Sequence, residues 1–213
     1  MLEALDLECT RGERVLFSGL AVRIEPGTLL RVAGPNGTGK TSLLRLLCGL
    51  LQPTHGEIRW RGEGVRSLRE EYWRELAYVG HLNGVKDDLT AAENLRASAG
   101  IAGLEADEGA LRGALDAVGL AGFEDSLTRS LSQGQKRRIA LARLFLSGGV
   151  PLWILDEPFT ALDARGVAAL GTLLARHLAG GNIVVFTTHQ EVPIDAERTE
   201  TIELGRGMGQ PSC

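Results

Sequence analysis

Short apolar runs alternate along the chain with stretches whose apolar residues recur at helical spacing. The runs 28–33, 76–80, 152–156 and 183–187 read as strands, with 2–9, 57–60 and 199–204 as additions to them. The segments 40–48, 133–147 and 165–178 carry the three-to-four-residue period of amphipathic helices. Strands alternating with helices in this way predict an α/β domain built on a largely parallel sheet. Between 82 and 130 the composition shifts to Ala, Gly, Leu and acidic residues, and 106–118 places Leu111, Leu115 and Val118 at helical spacing. That stretch reads as a helical lobe inserted in the sheet domain. No internal repeat, low-complexity tract or sustained heptad breaks the pattern, and 205–213, rich in Gly and polar residues, reads as a frayed tail.

Composition narrows the function classes. A chain of 213 residues that is 44% hydrophobic and 23% charged fits one domain, 1–213, with a large core. A net charge of −4 gives no electrostatic reason to bind nucleic acid or anionic lipid, both of which attract basic surfaces. Cys9, Cys48 and Cys213 are far apart and lack C-x-x-C spacing, so reduced thiols are the plain expectation. No apolar run reaches the ~18 residues that span a bilayer: Arg45 interrupts 42–51 and Asp156 ends 151–155. The first residues show no basic region followed by an apolar core, so no signal peptide is expected. Membrane association, if it occurs, is expected through a partner rather than by insertion.

Three stretches carry chemistry. Gly34, Pro35, Asn36, Gly37, Thr38, Gly39, Lys40 and Thr41 fit G-x-x-x-x-G-K-[ST] in full, between an expected strand and an expected helix that continues through Ser42. The glycines let backbone N–H groups converge on phosphates, and the helix start adds its positive dipole end. Lys40 reaches the β- and γ-phosphates and Thr41 offers a hydroxyl to Mg²⁺. Second, the apolar strand 152–156 ends in Asp156 and Glu157, the layout by which a buried strand delivers a carboxylate to Mg²⁺ at its C-terminal edge. Glu157 is then placed to polarise an attacking water as general base. Two acids after a strand also cap turns, but the phosphate loop in the same chain favours the catalytic reading. Third, Leu131, Ser132, Gln133, Gly134 and Gln135 precede a basic helix opening with Lys136, Arg137 and Arg138. Ser132 as N-cap at a helix start is an anion site in its own right.

That third stretch, L-S-x-G-Q, resembles the signature of ABC-type ATPases, a motif other P-loop ATPases lack. The remaining elements follow in that family's order. Ala161, Leu162 and Asp163 resemble the D-loop, which crosses the dimer interface, and His189 after the strand 183–187 resembles the switch histidine at the γ-phosphate. His81 stands where most members carry the Q-loop glutamine, beside Mg²⁺ or water. Arg11 stands where an aromatic residue usually stacks on adenine; a guanidinium plane can also stack on a base, and a solvated loop arginine is the competing reading. Phe17 to Leu20, Gly80 and His81 with Gly84 to Lys86, Leu89 to Leu95, Ala121 to Asp125, Leu152 to Thr160 and Thr187 to Gln190 together resemble the haem-exporter ATPases of cytochrome c maturation.

The resemblance spans most of the chain, and its implications are specific. It implies a P-loop fold of ABC type with a mostly parallel core sheet, an inserted helical lobe and an N-terminal antiparallel β part. It implies ATP and Mg²⁺ bound by two copies closed head to tail, so that Ser132, Gly134 and Gln135 of one copy face the ATP held on the loop of the other. It further implies a separate membrane-spanning permease and a peripheral place on the cytoplasmic face of the bacterial inner membrane. The chain has no C-x-x-C-H motif, so no haem bound to it is expected. Another small exporter or a lipoprotein-releasing system would share every catalytic residue. A soluble ATPase of nucleic-acid metabolism would need long coiled coils or two cassettes, and the pattern shows neither. A non-hydrolysing binder is at odds with the presence of Lys40, Asp156, Glu157 and His189.

Overall fold

The computed structural model describes residues 1–189 and 192–205. The chain opens with a long antiparallel pair, β1 (Leu2–Arg11) and β2 (Arg14–Ile24), closed by a tight turn in which Gly12 adopts a φ of 60°. Next come β3 (Thr28–Ala33), α1 (Lys40–Leu47), β4 (His55–Trp60), the short β5 (Glu63–Gly64), α2 (Arg69–Arg74) and β6 (Leu76–Val79). Two lobe helices, α3 (Ala91–Ile101) and α4 (Glu108–Ala117), lead into α5 (Gln133–Ala142). The chain then completes β7 (Leu152–Asp156), α6 (Ala164–Ala179), β8 (Ile183–Thr187) and β9 (Arg198–Glu203).

The strands form two sheets. An antiparallel one runs β2-β1-β4-β5 and a parallel one β6-β7-β8-β3-β9. The central strands β7 and β8 read as continuous apolar runs because both their faces are buried. Leu152, Ile154, Ile183 and Val185 face the core shared by α1 and the antiparallel sheet. Trp153, Leu155, Val184 and Phe186 face the opposite core, shared by α6 and the lobe. Period-two alternation therefore serves two cores at once. This is the mixed α/β fold expected, with the antiparallel part where it was expected.

Strand and helix boundaries mostly agree with the sequence, and the departures have local causes. The run 76–80 ends at Val79, freeing Gly80 to start the loop that carries His81. The segment 133–147 is not one helix: α5 stops at Ala142 and a 3₁₀ turn covers Arg143–Leu146. The strand β2 escaped the pattern because Ser18 and Gly19 break its alternation, and β1 bulges opposite it, with Asp6 at a φ of 49°. The helix α3 was missed because its buried side is mostly alanine; it announces itself by a capping box between Thr90 and Glu93. The expected tail lies, beyond Gly205, outside the described residues, as does Cys213.

Gly56 shows how closely β4 lies against β1 within the antiparallel sheet. It has a φ of 86°, and the carbonyl oxygens of Leu5 and Asp6 occupy the space a Cβ would need. Cys9 and Cys48 are free and buried, and burial pushes both thiols up. No helix among the described residues is long and apolar enough to cross a membrane.

Candidate active site

The C-terminal ends of β3, β7 and β8 meet at one cleft. Its volume is 420 Å³, and Leu16, Asn36, Gly37, Gly39, Lys40, Thr41, Ser42, His81, Asp156, Glu157 and His189 line it. That is ample for a phosphate chain. The loop from Gly34 to Gly39 leaves β3 and enters α1 with φ values of 136°, 79° and 101° at Gly34, Gly37 and Gly39. At Gly34 the need for glycine is also spatial, since the Leu204 carbonyl oxygen sits where a Cβ would be. Gly39 caps α1 without any side-chain acceptor, and the first turn holds no acid. The helix start is thus a free set of N–H groups with its dipole unopposed, suited to an anion. Lys40 Nζ donates to the carbonyls of Gly34 at 2.7 Å and Pro35 at 3.0 Å, which holds the loop's curvature.

The acid pair is held by hydroxyls. Thr41 Oγ1 donates to Asp156 Oδ2 at 2.9 Å, and Thr187 Oγ1 donates to Asp156 Oδ1 at 2.7 Å. Asp156 is buried, so these bonds replace its hydration. Thr187 also accepts from the Glu157 backbone N–H at 2.9 Å, which fixes the turn after β7. Glu157 takes a φ of 51°, an uncommon conformation for a side-chain-bearing residue, and this aims its carboxylate into the cleft. There the His189 N–H donates to Oε2 at 3.4 Å, and His189 Nε2 lies 3.4 Å from Oε1. Glu157 Oε1 is buried and, apart from this approach of His189, has no hydrogen-bond partner among the described residues.

These donors fit Mg²⁺. Thr41 and Asp156 present hard oxygens side by side, and no group of three or more His, Cys, Asp or Glu residues among the described ones could hold a metal unaided. Mg²⁺ characteristically takes one or two protein oxygens and completes its shell with phosphate and water.

The structure gathers the loop residues, Asp156, Glu157, His189 and His81 at one place. Arg11 is exposed and does not line the cleft; Leu16 does, packed against Gly39. Ser132, Gly134 and Gln135 do not line it either. Ser132 caps α5 by accepting from the Gln135 N–H at 3.2 Å, while Gln135 Oε1 accepts from the Ser132 N–H at 2.9 Å. Gly134 faces Ala161, so the segment 132–135 and the segment 161–163 form a second surface away from the cleft. The sequence reading missed Leu16 and Thr187 as site residues. Thr187 could have been found from the sheet, where it pairs directly with Asp156.

The chain has relatives along nearly its whole length. The sequence matches the ABC transporter family over residues 17–160. It is 52% identical over 203 residues to the cytochrome c biogenesis ATP-binding export protein CcmA of Nitrosospira multiformis, covering 95% of this chain and 98% of that protein. It is 55% identical over 192 residues to the protein of the same name from Nitrosomonas europaea, covering 90% of each. Among solved structures, the dimeric MJ0796, a bacterial ABC transporter cassette, superposes with a TM-score of 0.77 at 25% identity over 97% of both chains. The chain belongs to the ABC transporter family, as an ATP-binding and ATP-hydrolysing subunit of the cytochrome c biogenesis type.

Proposed function

We propose that the cleft binds ATP with Mg²⁺ and that two copies of the chain close head to tail around two nucleotides. The observation that carries this reading is the split between a cleft with unspent hydrogen-bonding groups and a separate, capped surface at 132–135. In this arrangement the Gly34–Gly39 amides and Lys40 hold the phosphates, with Lys40 exchanging its loop carbonyls for phosphate oxygens. Thr41 and Asp156 would hold Mg²⁺, which supplies charge neutralisation at the β- and γ-phosphate oxygens. Glu157 accepts a hydrogen bond from the attacking water, and His189, whose Nε2 lies 3.4 Å from Oε1, orients the carboxylate and reaches the γ-phosphate. His81 lines the same cleft and would be placed beside the metal or water there. Ser132, Gly134 and Gln135 of the second copy close the site over the γ-phosphate, and Arg11, outside the lining of the cleft, is the candidate contact for the base.

On this reading 1–213 is one nucleotide-binding domain whose lobe, about 82–130, is inserted in the sheet domain. A separate membrane-spanning permease couples its closure to export, and the chain sits peripherally on the cytoplasmic face of the bacterial inner membrane. The names of its relatives and the residues they share with it support haem export, or release of a haem-chaperone complex, in cytochrome c maturation as the work driven. Haem is then carried by partners and not by this chain. Purification of tagged chain from its native membranes in mild detergent tests the assignment. Cytochrome c maturation proteins should co-purify and ATP turnover should respond to haem; recovery with an unrelated permease would overturn the haem assignment.

A further inference from the structure

Arg137 is a buried cation that none of the roles above uses. It lies on the second turn of α5 and is 7% exposed. Its Nη1 donates to the carbonyl of Gly80, and its Nη2 donates to the carbonyls of Asp156 and, at 3.3 Å, Glu157. These acceptors share a structural origin. The β6-β7 ladder ends at Val79 opposite Leu155, and beyond that pair the two chains diverge towards His81 and towards Glu157. Their carbonyls find no partner in the β6-β7 ladder, which has ended, and at this largely buried place unpaired polar groups are costly. One planar guanidinium fills the gap from a third element. A lysine could not, because a single ammonium on a flexible stem lacks the fork that reaches two strands at once.

Burial opposes the charge, and the nearby Asp156, Tyr78 and Glu157 offset that opposition. An apolar residue would escape this desolvation cost but would leave the carbonyls of Gly80 and Asp156 without this donor, so pairing them is the structural part of the arginine's role. Its position adds a second part. The helix bearing Arg137 begins at the capped Ser132, and the three carbonyls it holds belong to the peptide units next to His81 and at the acid pair. Glu157 already sits at a φ of 51°, a conformation that persists only when the surroundings impose it.

We propose that Arg137 is a positioning residue for hydrolysis: it locks Glu157 and the His81 loop in register with the Ser132 end of α5, so that contact at that end is felt at the acid pair. It acts through backbone carbonyls and touches neither nucleotide nor water. The proposal rests on the ATP-hydrolysing reading of the cleft.

The test uses the full chain and its Arg137→Lys, Arg137→Gln and Glu157→Gln variants. Phosphate release gives kcat, titration with a slowly hydrolysed ATP analogue gives affinity, and thermal melting reports the fold. Arg137→Lys should lower kcat roughly 10- to 100-fold while affinity stays within about threefold, the signature of displaced catalytic groups rather than lost binding. Arg137→Gln should behave likewise or more severely. An unchanged kcat, a loss of affinity parallel to the loss of kcat, or failure of both variants to fold would each overturn the proposal. The underlying reading is judged separately: it stands if the unaltered chain turns over ATP and Glu157→Gln does not. If the unaltered chain turns over nothing, both fall.

Discussion

The cleft at the end of the parallel sheet and the surface at 132–135 answer opposite questions about hydrogen bonding. In the cleft, α1 begins without a side-chain cap, and a buried oxygen of Glu157 has only His189 near it among the described residues. At 132–135, Ser132 and Gln135 satisfy each other in a closed capping box, and Gly134 rests on Ala161. The first region is built to receive a ligand and is strained towards it. The second is finished within its own chain, apart from the helix dipole and the exposed Ser132. A chain with one open half-site and one self-contained half-site has a reason to meet a second copy of itself.

The largest expected effect that tests this difference is at Glu157. Glu157→Gln should abolish turnover, by roughly 10³-fold or more, while nucleotide affinity is retained; normal phosphate release would remove the general base from the cleft. Next comes the division between copies. Lys40→Ala and Gly134→Asp should each be inactive alone, yet mixed chains should recover measurable hydrolysis, because one site in the mixed pair keeps both halves. Complete silence of the mixture at high concentration would argue against the head-to-tail arrangement. Smaller is Thr187→Val, which strands the Glu157 N–H and one Asp156 oxygen and should cost about 2–4 kcal/mol of stability, read by denaturant unfolding. The same change at Thr172, whose hydroxyl bonds only its own helix at an exposed position, should cost little and serves as the control.

The smallest effect lies away from both regions, at His177. Its ring stacks on Trp153 at 3.7 Å, its Nε2 has no hydrogen-bond partner among the described residues, and burial pushes its pKa from 6.5 down to about 4. The unfolded chain therefore binds the extra proton first. Stability is full above about pH 6.5 and falls as pH drops towards 4, by at most about 3 kcal/mol. His177→Gln should flatten that part of the stability profile without changing turnover at neutral pH, and a melting curve taken at several pH values reads it directly.

Much of this was legible in the residues. The runs at 28–33, 152–156 and 183–187 match their strands residue for residue, because strands buried on both faces are apolar along most of their length, Arg31 being the exception inside the first. The phosphate loop was legible because positive φ favours glycine at Gly34, Gly37 and Gly39, and at Gly34 a backbone carbonyl also fills the space of a Cβ. By contrast, β2 and α3 were not legible. The Ser18–Gly19 break and the alanine face of α3 are compensated by partners that lie far away in sequence.

What the sequence by itself determined is therefore local: where strands run, where the backbone must turn back on itself, and which groups can carry phosphate and proton chemistry. The tertiary structure decided which of those groups share a cleft. It put Leu16 there and left Arg11 outside, placed Thr187 beside Asp156, and set Arg137 among carbonyls from two other strands. The physical reason is that hydrophobic periodicity records only burial, which is a property of each position, whereas a hydrogen bond across a sheet depends on register and crossover, which belong to the assembled chain.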